Sequence, residues 1–281
     1  MHKIISQQIN KLGLGKTPAK PVIKMFGCKL RCASFAPHSL VVGTKSRNMT
    51  TNLFTWACNE IETADKRLGH KLSWRFLTTP ARTLSPSTRI AFIALNPGGN
   101  KIPLDHGRES SEVGSAYIYE KWRSVTLQQQ VQALFRQIAD QLTLSNHQSL
   151  MNNSLMAYYI PFRSPNFRSL HRQAQSRDFA LRLWSCIMKQ ISPELVMSID
   201  KTTFHDIHTI LVSAAGLKQT YGQKLPTGWG KYTATINFYA DKERHVVLVR
   251  LPHLSRFKIF NRPASEPYVR NIVKEMTQFM T

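Results

Sequence analysis

Apolar positions along the chain fall into short continuous runs that alternate with helically spaced sets. FTWACNEIETADKRL (54–68) repeats apolar residues at helical spacing and predicts a helix. RIAFIALNPGG (89–99) is a continuous apolar run closed by Asn-Pro-Gly-Gly, the pattern of a buried strand entering a tight turn. The polar, Gly-containing stretch 100–120 predicts a loop. Further helices are predicted over 123–142, 177–191, 203–216 and 266–280, and further strands over 154–162, 194–199, 233–240 and 245–253. This alternation predicts an α/β fold of three layers, α/β/α, around a central, mostly parallel sheet. Such sheets bind ligands beyond the carboxyl ends of their strands.

Three segments directly after predicted strands carry the candidate chemistry. Ala94-Leu95-Asn96-Pro97-Gly98-Gly99 places an uncharged amide at a strand end, with a fixed backbone angle at Pro97 and glycines that admit a ligand closely. Tyr158-Tyr159-Ile160-Pro161-Phe162-Arg163 joins an aromatic strand end to a guanidinium. Pro252-His253-Leu254-Ser255-Arg256 sets an imidazole beside a hydroxyl and a cation, a combination suited to a phosphodiester. Each segment also has an ordinary structural reading: an Asn-Pro-Gly turn, aromatic core with a surface Arg, and a structural His.

Charge narrows the choice of partner. The 281 residues hold 38 Lys and Arg against 16 Asp and Glu, a formal net charge of +22. Such a surplus favours a polyanion, because neutralised phosphates release counterions. No Asp or Glu precedes Glu60, yet the remainder of the chain is strongly basic by itself. Residues 1–48 read as a basic N-terminal extension, either an arm that contacts DNA or a stretch ahead of the true start. Residues 49–281 read as one α/β domain, with Met49 opening a natural domain start. The four cysteines, Cys28, Cys32, Cys58 and Cys186, lack zinc-site spacing and read as reduced thiols. No apolar run is long enough to span a membrane. Asp105, Glu109 and Glu112 share one loop and read as solvated, which disfavours a magnesium-dependent nuclease.

Taken in order, the three segments resemble the uracil-DNA glycosylase superfamily over roughly residues 85 to 265. Asn96-Pro97-Gly98 is similar to its Gly-x-Asn-Pro-Gly motif, with Ala94 in place of the leading Gly. His253-Leu254-Ser255 is similar to its His-Pro-Ser motif, with Leu254 in place of Pro. Pro161-Phe162-Arg163 is similar to a strand-end segment of several branches. The resemblance implies a monofunctional, base-flipping DNA N-glycosylase that leaves abasic sites, with DNA as partner. It implies catalytic roles for Asn96, which would orient water or sugar at C1′, and for His253, which would hydrogen-bond the departing base. Pro97, Gly98, Tyr117, Tyr158 and Trp229 would form the base pocket, with Tyr117 stacking on the flipped base. Arg163, Arg168, Ser255 and Arg256 would contact DNA. No metal or cofactor is expected, residues 59–185 having no cysteine for an iron–sulfur cluster, and a monomer is expected.

Substrate choice turns on Tyr158. Uracil-reading members often carry an Asn at that position. Its replacement points to another pyrimidine, and the phage-defence branch suggests glucosylated hydroxymethylcytosine of phage DNA, excised in the bacterial cytoplasm. Uracil or mismatch excision in base-excision repair and a catalytically inactive nucleic-acid-binding module are the alternatives.

Overall fold

The strand Ile90–Ala94 (β1) is apolar at every position and buried at every position, so both of its faces need cover. A computed structural model describes residues 45–102, 106–122 and 125–280, with side chains from Leu53 onward. Helix α1 (Lys45–Leu68) precedes β1. It is followed by the one-turn helix α2 (Ala116–Tyr119), α3 (Val125–Gln141), α4 (His147–Asn153) and β2 (Leu155–Tyr158). Then come α5 (Gln173–Ile187), β3 (Leu195–Ser198), α6 (Lys201–Ser213), β4 (Lys218–Pro226), β5 (Thr233–Ala240), β6 (His245–Arg250) and α7 (Glu266–Met276).

One six-stranded sheet has the order β2-β1-β3-β6-β5-β4. The first four strands are mutually parallel, and β5 and β4 add an antiparallel extension beyond β6. The expected mixed α/β architecture with a mostly parallel sheet is therefore present. Side chains alternate between two cores. Ala91, Ile93, Val196 and Leu248 pack with α1, α5 and α6, whereas Phe92, Ala94, Met197 and Val249 pack with α3 and α7. Trp74–Thr79 runs antiparallel outside β2, pairing at Trp74 with Phe162 and at Leu77 with Ala157.

Two elements escaped the hydrophobic pattern: the short α4, and β4, whose residues are mostly exposed. The expected loop 100–120 ends in α2. The expected domain start at Met49 falls inside α1, which begins at Lys45; residues 1–44 of the expected extension lie outside the described residues. Cys58 is free and buried, and Cys28 and Cys32 lie outside the described residues.

Candidate active site

The parallel strands all point their carboxyl ends to one edge, and strand order reverses there between β1 and β3. The chain leaves β1 towards β2 on one side and β3 towards β6 on the other, the arrangement at which open α/β sheets generally bind ligands. Ile93, Ser198 and Arg250 form the last paired row across β1, β3 and β6. Asn96 and His253 each lie three residues along the chain beyond that row, in the turns that follow the two strands flanking β3. Two strand spacings separate the ends of β1 and β6, on the order of 10 Å.

The turn after β1 is tied to the turn after β2. Tyr159 N–H donates to Ala94 O at 2.7 Å, and Ile160 N–H to Leu95 O at 2.8 Å. The Pro97 carbonyl accepts from Ser164 N–H and from Asn96 Nδ2, each at 3.1 Å. Asn96 Nδ2 also donates to Ser164 Oγ at 2.9 Å, which itself donates to Asn166 O at 2.8 Å. Both Nδ2 partners are acceptors, so the amide has one orientation and Oδ1 is its free acceptor end. Gly99 adopts φ +105°, a conformation that explains a glycine at this point of the turn. Arg163 Nη1 donates to Gly98 O at 2.6 Å, so this guanidinium braces the Asn-Pro-Gly-Gly turn from within.

His253 opens the turn after β6, where its carbonyl accepts from Arg256 N–H at 2.9 Å and Phe257 N–H at 3.0 Å. Its Nδ1 lies 2.8 Å from Ser255 Oγ. Partial burial, and then the Arg256 charge, hold its pKa below the usual histidine range, which keeps the ring neutral. If Ser255 donates to Nδ1, the proton sits on Nε2 and that nitrogen becomes a hydrogen-bond donor. Ser255 is the residue placed to select the His253 tautomer. Arg256 and Arg168 are exposed, in the segments that follow β6 and β2.

No protein-family model matches this chain, and no curated protein matches it.

The aromatic candidates all meet the α3/α7 core, but in different states. Tyr117 is 1 % exposed, edge-on to Phe92 and Trp122. It is a core ring here and not the open stacking platform expected of it. Tyr158 is part of the same layer. Trp229 sits in the β4–β5 connection, which returns to the carboxyl edge. Arg262 lies over its ring at 4.7 Å, and Phe257 meets it edge-on at 6.5 Å.

Two groups of residues were missed by sequence reasoning. Arg75, 2 % exposed, donates to Glu120 through two nitrogens, one at 2.8 Å, and its own N–H donates to Pro161 O at 2.8 Å. Trp122 Nε1 also donates to Glu120, at 3.0 Å, and His106 Nδ1 lies 3.4 Å from it. Burial opposes both charges of the Arg75–Glu120 pair, but their mutual attraction outweighs it: the arginine pKa ends raised and the glutamate pKa lowered. Burial raises the pKa of the neighbouring Tyr158, leaving a neutral phenol beside this pair. Forty-five positions separate Arg75 from Glu120, so no local spacing announces the cluster. The second is Asp200, between the ends of β1 and β6. It caps α6 by accepting from Thr203 N–H at 2.8 Å, its other oxygen is buried without a partner, and burial raises its pKa. An Asp ahead of a helical run is a readable cap signal. Among the described residues, no group of three His, Cys, Asp or Glu side chains converges as a metal site requires.

Proposed function

We propose that this chain is a monofunctional DNA N-glycosylase that hydrolyses the glycosidic bond of a flipped-out pyrimidine and leaves an abasic site. The observation that carries this reading is the matched placement of Asn96 and His253, three residues along the chain past the same strand row. An amide with a free oxygen and an imidazole of lowered pKa follow strands two spacings apart, on the order of 10 Å, a span suited to a nucleoside.

In this mechanism Asn96 Oδ1 accepts a hydrogen bond from water and aims its lone pair at C1′. The bond between C1′ and the base nitrogen breaks, and the base leaves with the bonding electrons. His253 Nε2–H stabilises the charge that grows on the departing base. Water supplies the new C1′ hydroxyl, and its released proton goes to solvent. An amide positions water without deprotonating it, so the DNA phosphates and His253 supply most of the stabilisation of the sugar cation. Arg168 and Arg256 would meet the strand, and the formal charge of +22 supplies the attraction to it.

The proposed substrate is a modified cytosine, glucosylated hydroxymethylcytosine of phage DNA, cut out by a monomer in the bacterial cytoplasm. Tyr158 supports this choice, because in the resemblance to the superfamily this half-buried phenol beside Arg75–Glu120 takes the position at which uracil-reading members often carry an Asn. The test is formation of alkali-labile abasic sites in matched duplexes carrying cytosine, uracil or the glucosylated base. Cleavage at the glucosylated base alone, lost in Asn96→Ala, is expected. Cleavage at uracil would replace the substrate. Absence of abasic sites on all three, with DNA binding intact, would make the chain a binding module.

A further inference from the structure

A cavity of about 620 Å³ opens between α3, the β4–β5 connection and the segment after β6. Its lining includes Arg136, Lys258 and Arg262, the amides of Gln129, Gln132 and Asn261, and the Trp229 ring, but no carboxylate. Among the described residues, Arg136 and Lys258 have neither an ion-pair nor a hydrogen-bond partner. Asp140 and Glu266 line the adjoining cavity with Arg136 but are not paired to it, so both cations are free to meet an anion in a concave surface.

The walls are held in place by buried contacts. Gln130, 6 % exposed, donates Nε2 to Phe260 O at 2.9 Å and accepts from Phe260 N–H at 3.0 Å, which pins the 258–263 segment to α3. Asn261 then turns the chain with φ +57°, a left-handed conformation that asparagine tolerates better than most residues. Arg262 donates Nη1 to Gly228 O at 2.6 Å and to Ser265 Oγ at 3.0 Å, fixing its guanidinium over Trp229. Lys258 follows His253 by five residues, at most about 17 Å of extended chain. The cavity therefore lies within a few nucleotides of the proposed reacting centre.

We propose that this cavity is a phosphate-binding subsite that holds the DNA backbone beside the active centre, with Arg136 and Lys258 as its principal phosphate ligands. The assignment rests on the reading of the chain as a protein that acts on DNA. Amide donors and a capped indole complete a surface suited to a phosphodiester and its sugar, which neutral donors and an apolar ring can contact without sequence preference.

The experiment is binding of a labelled, unmodified duplex, followed by anisotropy over a range of salt concentrations, with no requirement for excision. Arg136→Gln/Lys258→Gln should weaken binding and lower the slope of log affinity against log salt by about 1.8, two phosphate contacts at about 0.9 each. The control Lys218→Gln/Lys242→Gln removes the same charge at the opposite edge of the sheet and should leave the slope near wild type. Equal loss in both variants, or no loss in the first, would overturn the subsite. Inorganic phosphate and deoxycytidine monophosphate serve as competitors. If either saturates the cavity while duplex binding is unaffected, the site takes small anions and the backbone assignment fails. If the slope falls as expected but no base is ever excised, the subsite stands and the glycosylase reading falls.

Discussion

Asn96 shows how one residue can be legible in type and still need the structure for its chemistry. Its place after an apolar run was readable from Asn-Pro-Gly-Gly. Its amide orientation depends on Ser164, sixty-eight residues away, and on the Pro97 carbonyl, which the sequence does not reveal. His253 behaves likewise. Its strand-end position was readable, and the depressed pKa comes from burial and Arg256. The ring should titrate below the usual histidine range in an NMR pH series. Arg256→Gln should move that midpoint upward, since a neutral side chain no longer disfavours the imidazolium. A midpoint at or above the ordinary value in the wild type would remove the basis for a neutral donor. Arg75 and Glu120 were illegible for the opposite reason: a single Arg and a single Glu carry no periodicity, and only folding sets them together.

At the scale of elements, α1 ends in two titrating groups that oppose each other. Gly69 and His70 both donate backbone N–H groups to Asp65 O, at 2.9 and 3.3 Å, closing the helix. Burial raises the Asp65 carboxyl from 3.8 to about 6. Burial lowers His70, stacked on Phe162 at 4.1 Å, from 6.5 to about 4. Between pH 4 and 6.5 the unfolded chain binds a proton that folded His70 refuses, so acidification through this window costs stability. Between 3.8 and 6 folded Asp65 keeps a proton that the unfolded chain has lost, so acidification gains stability there. Each contribution is at most about 3 kcal/mol, and the two largely cancel. Relative to wild type, Asp65→Asn should lose stability as pH falls through this window, and His70→Asn should gain it, in urea midpoints taken at both ends. Parallel curves for all three proteins would mean that neither pKa is shifted. The same scale explains β4. Nine mostly exposed residues, KQTYGQKLP, lack the alternation of a half-buried strand, and only pairing with β5 defines them.

At the scale of the whole molecule, the parallel half of the sheet was legible because every strand in it is buried on both sides and reads as an apolar run. The antiparallel extension was only half legible, yet it returns the Trp229 connection to the edge that holds Asn96 and His253. Gly228 couples that connection to the start of α7. Its φ is +70°, and an added Cβ would lie 2.7 Å from Tyr268 Cδ2 and 2.8 Å from Ala264 O and Ser265 Cα. Two of those three contacts are backbone and cannot swing aside. Gly228→Ala should therefore cost about 2–4 kcal/mol in stability, combining left-handed strain with overlap. Gly230 also has positive φ, +52°, but nothing lies within 4 Å of its added Cβ. Gly230→Ala should then cost only the backbone strain, about 1–2 kcal/mol. The difference between the two variants isolates the seating of this connection on α7. Because the Gly228 carbonyl also holds Arg262 over Trp229, Gly228→Ala should weaken duplex binding beyond Gly230→Ala at a temperature where both stay folded. Equal stability and equal binding in the two would mean that the Trp229 connection is positioned by its own turn, and that the cavity wall does not depend on α7.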